Sequence, residues 1–247
     1  MRFELAHDDY SAPPVSRGRP IANRLLAALP DAELAAVMAT VEEVPLVARR
    51  ILQEANAALA NLYFISDGLV SLTMTVGHGD DVETAIVGAE GAVGAPLVLG
   101  NASPPWRATV QVAGRAWRMP YSHLKAVMDM HPTFASLLHR YVASCLYETA
   151  QNVACASRHT IAQRLARWLL NCQDRLGQAV IPCTHDALSQ ALGVRRAGVT
   201  VRLGHMETQG LIRQHRGALV IADRARLEAQ SCGCHRLARL HRERVTG

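Results

Sequence analysis

Two adjacent arginines, Arg195 and Arg196, begin a segment whose apolar residues recur at helical spacing. A guanidinium group is a planar fork of N–H donors that can bind a phosphate or the O6 and N7 atoms of guanine. Ala197, Thr200 and Val201 follow on the same face and are small enough to let a helix approach another surface closely. These residue types predict non-covalent recognition of a nucleic acid.

The elements that would position these side chains form a helix–turn–helix pattern. Leu188 and Leu192 are four residues apart and therefore share one face of a first helix. Gly193 follows at a position where a left-handed backbone costs least. A second helix has a buried stripe at spacings of four and three, made by Val199, Leu203 and Met206. A helical hairpin without a nucleic-acid role is the structural alternative.

A short hairpin is predicted directly after the second helix. Residues 211–213 and 218–221 are apolar runs, and Gln214, His215, Arg216 and Gly217 between them form a basic tip. Helix, turn, helix and basic hairpin together predict a winged helix-turn-helix over residues 158–231, and its expected ligand is double-stranded DNA.

The distribution of charge supports this interpretation. From Arg158 to Gly247 the chain has 15 arginines, no lysine and 6 acidic residues, a balance of +9, whereas residues 1–157 have a balance of −4. A polyanionic partner is therefore expected at the C-terminal part, where the positive field can steer association and release counterions. Several arginines lie beyond the hairpin, in a segment over residues 232–247 that we interpret as a basic tail.

The N-terminal two-thirds predict a different architecture. Residues 1–20 are interpreted as a flexible arm, and residues 21–131 combine leading helices with short strands and glycine-rich turns, which indicates a β-roll. Residues 132–157 predict one long helix that serves as a dimerisation helix. Its proposed seam has a spacing of four and three, at Leu138, Val142, Cys145, Thr149 and Asn152. A core helix packed on its own barrel is the alternative. The fold class is therefore α+β.

The cysteines include a candidate soft-metal or redox motif. Of the six cysteines, Cys232 and Cys234 stand one residue apart and are followed by His235. Two thiols and an imidazole can bind a soft metal or respond to oxidation. However, this motif alone has too few ligands for a closed site, so we assign no metal and no cofactor. A redox- or metal-responsive protein that uses these three residues stays as an alternative.

The order of leading helices, β-roll, long helix and winged helix-turn-helix resembles the Crp/Fnr family of bacterial transcription regulators. The resemblance covers residues 21–229, is strongest at 163–170 and 184–212, and is also clear at 63–68. It implies a homodimer whose recognition helices enter successive major grooves of a palindromic operator. By resemblance, Arg196, Ala197 and Val201 take base-reading positions, while Thr184 and Arg195 lie near phosphate. The expected partners are double-stranded DNA, a second copy of the chain and RNA polymerase.

The sequence departs from the family where cyclic nucleotides bind. Cyclic-nucleotide-binding members have a Gly-Glu pair for the ribose and an Arg-Ser-Ala run for the phosphate, whereas this chain has Gly94-Ala95 and Arg107-Ala108. Ala95 cannot accept a hydrogen bond from a ribose, and Ala108 has lost a hydroxyl donor. Glu90 is the one candidate that could replace the missing carboxylate. We therefore treat these five residues as effector-pocket candidates, expect no cyclic-nucleotide control, and leave the effector unidentified.

Other classes of function have little support. The sequence has no GxSxG, HExxH or P-loop motif, so no enzymatic activity is expected. No run reaches the ~20 apolar residues of a membrane helix, and residues 1–20 do not resemble a signal peptide, so the cytoplasm is the expected location. A cyclic-nucleotide-type regulatory module that acts on a protein partner stays as the rival from another class.

Overall fold

The computed structural model describes residues 21–77 and 79–246, so the predicted arm over residues 1–20 lies outside the described residues. Two short helices, α1 (Arg24–Ala27) and α2 (Asp31–Met38), precede a six-stranded sheet. The sheet comprises β1 (Glu42–Leu46), β2 (Ile51–Gln53), β3 (Asn61–Val76), β4 (Asp80–Val87), β5 (Ala92–Val93) and β6 (Arg107–Pro120). A 3-10 helix spans Ala95–Leu99.

Every pair of strands in this sheet is antiparallel. The main order is β1-β6-β3-β4, while β2 pairs with β6 and β5 pairs with β3. β3 continues through residues 66–68, with shifts in register around Asp67. At Gly114 an added Cβ would lie 2.2 Å from the carbonyl oxygen of Asp67, so the two long strands approach too closely there for a side chain.

The C-terminal half is mainly helical. It begins with α3 (Tyr121–Met130), α4 (Pro132–Arg158) and α5 (Ile161–Leu176). A three-stranded sheet of order β7-β9-β8 follows, made by β7 (Val180–Pro182), β8 (Ile212–His215) and β9 (Ala218–Ile221). The remaining helices are α6 (His185–Leu192), α7 (Arg196–Thr208), α8 (Arg224–Gln230) and α9 (Cys234–Thr246). No described helix is long and apolar enough to cross a membrane.

The predicted basic tail at residues 232–247 is a helix over most of its length. In α9 the buried residues Cys234, Ala238 and Val245 lie on one side, and the Arg242 side chain is only 9% exposed. This side packs along α4, with Arg140 donating to the carbonyl oxygen of Val245 at 3.2 Å. The abundance of arginine hides this stripe in the sequence, because arginine stems can lie along apolar surface while their head groups find partners.

The two halves of the chain share a hydrophobic core. Leu69 and Ile86 of the first sheet pack with Leu165, Trp168 and Leu169 of α5. A second core fills the space between that sheet, α1, α3 and α4, and it includes Phe64, Phe134 and Leu138. The helix–turn–helix is thus held against the β-roll by buried apolar surface rather than by a linker.

Candidate nucleic-acid interface

The turn between α6 and α7 has the chemistry that the sequence predicts. The Thr184 hydroxyl oxygen accepts a hydrogen bond from the backbone N–H of Ala187 at 3.1 Å and so caps α6. Gly193 ends α6 with a φ of 61°, and Arg195 is the extended residue that precedes α7. Val199, Leu203 and Met206 are buried against the domain core, so the opposite side of α7 faces outward.

All eight residues that the sequence assigns to DNA are exposed. They are Thr184, Arg195, Arg196, Ala197, Thr200, Val201, His215 and Arg216. Val201 is 53% exposed, a high value for an apolar side chain in a helix with one buried face. Arg202 is a further exposed cation on α7 that the sequence reasoning does not include. Its position between the assigned Val201 and the buried Leu203 is the signal that could have revealed it.

Two of these side chains already contact α6. Arg196 lies 3.3 Å from a carboxylate oxygen of Asp186, and both side chains are 65% exposed. The Thr200 hydroxyl lies 3.0 Å from Nδ1 of His185. An ion pair at this exposure contributes at most about 1 kcal/mol, so the Arg196 guanidinium can exchange Asp186 for another partner at low cost.

The hairpin is tied to α7 by one acidic side chain. The Glu207 carboxylate accepts the backbone N–H of Gln214 at 2.7 Å and its side-chain amide at 2.8 Å. The hydrogen bond from the Gln214 backbone is the main reason why the pKa of Glu207 is lowered. His215 pairs with Ala218 across the hairpin, and Gly217 has a φ of 74°, which leaves Arg216 at the tip.

Four of the five effector-pocket candidates already have contacts within the fold. Arg107 lies at the surface, 2.9 Å from a carboxylate oxygen of Glu54. Ala108 is fully buried inside the sheet, and Ala95 packs against the second core. Gly94, with a φ of 100°, precedes the 3-10 helix. An added Cβ there would meet the backbone of Asn61 at 2.8 Å, so Gly94 serves close packing.

Glu90 already has a partner inside the protein. Its carboxylate accepts a hydrogen bond from Arg175 at 2.7 Å, and the Arg175 side chain is 2% exposed. Arg175 also binds Glu148 at 2.8 Å, and Arg242 of α9 lies 3.5 Å from Glu148. Burial alone would raise the pKa of Glu148, but Arg175 and Arg242 lower it. These four charges form a buried network where the sheet, α4, α5 and α9 meet.

Another acidic group lies between the sheet and α5. Glu83 accepts hydrogen bonds from Ser71 at 2.5 Å and from the indole N–H of Trp168 at 2.7 Å. Burial raises the pKa of Glu83 to about 7 despite these two donors. The side chain lines a cavity of about 260 Å³ between β4, α4, α5 and α6, together with Asn152 and Arg167.

The predicted dimer seam on α4 mostly faces the interior of its own chain. Leu138 is fully buried, and Val142 and Cys145 pack against the same core. Asn152 donates to the carbonyl oxygen of Thr84 at 2.9 Å, and among the five residues only Thr149 is exposed. Leu138 is therefore not available to a partner helix, because a four-three stripe shows that a face is buried but not what buries it.

A different face of α4 is exposed. Leu146 and Val153 are 65% and 67% exposed. They belong to a stripe with the same four-three spacing, which we call the outer stripe and which comprises His139, Ala143, Leu146, Ala150, Val153 and Ser157. A groove beside its first turns is lined by Pro132, Ser136, His139 and Ala143.

Two residues at the end of α4, Cys155 and His159, lie next to the cysteine motif. Cys232 lies 3.5 Å from Sγ of Cys155, and Cys234 lies 3.6 Å from Nδ1 of His159. The pKa of Cys155 is lowered, chiefly by a hydrogen bond from Cys232 and further by the nearby Arg167. His235, which the sequence groups with the two thiols, instead lies 2.9 Å from the Asp174 carboxylate. The sequence signal for Cys155 and His159 is their spacing of four at the end of a helix.

Known proteins resemble this chain both in sequence and in fold. Residues 163–230 match the model of a Crp-like helix-turn-helix domain. The global nitrogen regulator of Nostoc sp. (strain PCC 7120 / SAG 25.82 / UTEX 2576) is 22% identical over 173 residues, which cover 65% of this chain and 76% of that protein.

The solved structures show the same architecture. FixK2 from Bradyrhizobium japonicum has a TM-score of 0.68 at 17% identity, over 78% of this chain and 98% of that one. A transcriptional regulator of the Crp/Fnr family from Eubacterium rectale ATCC 33656 has a TM-score of 0.65 at 17% identity, over 83% and 96% of the two chains. Residues 163–230 are therefore a Crp-like helix-turn-helix domain, and the chain as a whole has the fold of these Crp/Fnr structures.

Proposed function

We propose that this regulator binds an inverted-repeat operator as a homodimer and inserts α7 of each protomer into a major groove. The observation that carries the proposal is the outward face of α7. It combines two exposed arginines at its start with small exposed side chains, next to a hairpin with a basic tip. A helix of this composition can approach base edges closely while its arginines bind guanine or phosphate.

Each exposed residue has a proposed role. Arg196 reads a guanine edge after it leaves Asp186, and Ala197 and Val201 offer apolar surface to thymine methyl groups. Arg195, Thr184, His215 and Arg216 contact phosphates and so fix the orientation of the domain. Glu207 has a positioning role, because it holds the hairpin at a fixed distance from α7.

The outer stripe of α4 is the proposed dimer interface. Its exposed leucine and valine have the spacing at which two helices pack along a common seam, and the alanines between them permit close approach. In a two-fold dimer along this stripe, we expect both α7 helices to contact the same duplex. The half-site centres should then lie about one helical turn apart, ~34 Å.

We propose that the β-roll receives the regulatory signal. Neither Ala95 nor Ala108 can make the polar contacts that a cyclic nucleotide needs, and Glu90 is paired with Arg175. Cyclic AMP and cyclic GMP are therefore not the proposed effectors. The expected setting is the bacterial cytoplasm, where RNA polymerase is the second macromolecular partner of a regulator of this family.

The test combines mapping of bound genomic DNA with mobility shifts on the recovered fragments. We expect an inverted repeat bound by two protomers. Recovery of fragments with no common motif, or a failure to shift DNA at low salt, would contradict the proposal and favour a module that acts on a protein partner.

A pair of substitutions tests the dimer. Leu146→Asp with Val153→Asp places like charges along the outer stripe and should give folded monomers with weakened operator binding. Val47→Asp is the matched control, because Val47 is 57% exposed but lies outside α4. If the double variant sediments as a dimer, the interface lies elsewhere.

A further inference from the structure

Four potential metal ligands meet where the last turn of α4 faces the segment between α8 and α9. Cys155 and His159 are four residues apart in α4 and its cap, and Cys232 and Cys234 flank Gly233. One ligand atom from each of the four residues lies within 4.8 Å of the other three. The three cysteines are at most 5% exposed.

We infer that Cys155, His159, Cys232 and Cys234 bind a single thiophilic divalent cation of the zinc class in a tetrahedral site. Three thiolates and one imidazole are a ligand set that structural zinc sites use. A Zn–S distance of about 2.3 Å in a tetrahedron separates neighbouring ligand atoms by about 3.8 Å. The Cys155–Cys232 and Cys234–His159 separations of 3.5 and 3.6 Å are close to this value.

The separations also argue for one ion. An iron–sulfur cluster distributes its cysteine ligands over several iron atoms, which requires ligand atoms farther apart than those of a mononuclear site. A simple thiol pair would account for Cys155 and Cys232, but not for the convergence of Cys234 and His159 on the same point. The full set of four ligands is what a closed tetrahedral site needs.

Two polar side chains outside the cluster interact with its ligands. The Gln151 side-chain amide donates to Sγ of Cys234 at 3.0 Å. Arg167 is placed to donate to Cys155, and its positive charge lies close by. Three thiolates, a neutral imidazole and a divalent cation carry a net charge of −1, which the Arg167 guanidinium offsets. Outer partners of this kind orient ligands and tune affinity.

The position of the site gives it a mechanical role. His159 directly precedes Thr160, whose hydroxyl caps α5, the first helix of the DNA-binding half. Cys232 and Cys234 stand at the start of α9, which packs back along α4. A bound cation would therefore lock the junction between α4 and α5 to α9. The cysteines bind the metal as thiolates, so metal affinity should rise with pH.

The test uses the full chain without an affinity tag, reduced and stripped of metal. We expect one equivalent of Zn²⁺ per chain, and one equivalent of Co²⁺ with the visible absorption of a tetrahedral thiolate complex. Cys155→Ser and Cys234→Ser should each weaken Zn²⁺ binding by more than about 100-fold, the upper end of the loss caused by removing an outer partner. Gln151→Ala should weaken it by about tenfold.

Cys145→Ser and His235→Gln are the matched controls. Cys145 is also on α4 and His235 directly follows Cys234, yet neither belongs to the four-ligand cluster, so both variants should retain one equivalent of metal. The stoichiometry and cobalt spectrum of the unmodified chain test the inference even if a cysteine variant fails to fold.

Three outcomes would overturn the inference. They are an unmodified chain that takes up no stoichiometric metal, equal loss of metal in the Cys145→Ser variant, and a cobalt spectrum without thiolate ligation. A chain that binds no metal but forms a Cys155–Cys232 disulfide on oxidation would likewise show a redox pair in place of a metal site. None of these measurements depends on DNA binding, so this inference and the proposed function fail separately.

Discussion

The proposed recognition face of α7 and the candidate effector region of the β-roll differ in how their charges are satisfied. On α7 and its neighbouring hairpin, Arg195, Arg202 and Arg216 are exposed and make no salt bridge within residues 21–77 and 79–246. In the β-roll, Glu90 is engaged by the buried Arg175, and the surface residue Arg107 pairs with Glu54.

This difference separates groups that serve a partner from groups that serve the fold. A charge without an internal partner keeps its hydration until a ligand arrives, so its removal should affect binding and leave stability unchanged. A charge inside a buried network has already lost its hydration, so its removal leaves the remaining members unpaired. Substitutions on α7 should therefore change DNA binding, and substitutions in the buried network should change the free energy of unfolding.

The largest effect is expected in the buried network. Arg175→Met removes the cation that neutralises Glu90 and Glu148, and we expect a loss of about 3–5 kcal/mol in the free energy of unfolding. Arg107→Met is the matched control, and it should cost at most about 1 kcal/mol because its pair is exposed. Urea denaturation measures both. Similar small losses for the two variants would show that Glu90 is available to an effector after all.

On α7 the expected effect is in binding alone. Arg196→Ala should weaken operator binding by about 1–3 kcal/mol and flatten the preference at one base pair in each half-site. Arg216→Ala should weaken binding to all DNA sequences alike. It should also reduce the slope of the logarithm of the binding constant against the logarithm of the salt concentration by about one unit. Titrations at matched salt separate the two effects. The urea midpoint should stay unchanged in Arg216→Ala, while loss of the exposed Arg196–Asp186 pair should cost at most about 1 kcal/mol. Intact sequence preference in the Arg196→Ala variant would mean that another residue reads the base.

The sequence predicts the DNA-binding half better than it predicts the β-roll and α4, and the reason is physical. The DNA-binding half consists of local patterns, namely a helix, a glycine turn, a second helix and a hairpin. Which of their side chains are exposed can be predicted without knowing the rest of the fold. The burial of Leu138, the pairing of Glu90 and the convergence of Cys155 on Cys232 depend on contacts between residues far apart in the sequence. Periodicity shows that a face is covered, but only the tertiary structure shows what covers it.

The stability of the fold should depend on pH through Glu83, which lies between the first sheet and α5. Because the pKa of Glu83 is raised to about 7 in the fold, the folded chain holds a proton that the unfolded chain releases near pH 4.5. The free energy of unfolding should therefore fall as pH rises from about 4.5 to 7, and stay lower above that. Since the side chain is half-buried, we expect a fall of about 1–2 kcal/mol rather than the full value for the shift.

Glu83→Gln isolates this contribution. The amide mimics the protonated acid and can still accept from Trp168 and interact with Ser71, so the variant should lose this part of the pH dependence and be more stable than the unmodified chain at pH 8. Urea titrations at pH 5, 6, 7 and 8 provide the comparison. Parallel curves for the two proteins would show that Glu83 is ionised in the fold.

The smallest effect concerns the backbone of α7. Gly204 lies on the same side of the helix as Ala197 and Val201, and an added Cβ would meet no atom within 4 Å. Gly204→Ala should therefore raise the free energy of unfolding by about 0.5–1 kcal/mol, because alanine loses less backbone entropy in a helix. That gain corresponds to about 1–4 °C in Tm. Gly210→Ala is the control and should destabilise the fold, since Gly210 has a φ of 71°.

Operator affinity should not change in the Gly204→Ala variant, because the first turns of a recognition helix contact the bases. A loss of affinity with the gain in stability would show that DNA approaches α7 as far as its third turn, and the recognition surface would then extend beyond Val201.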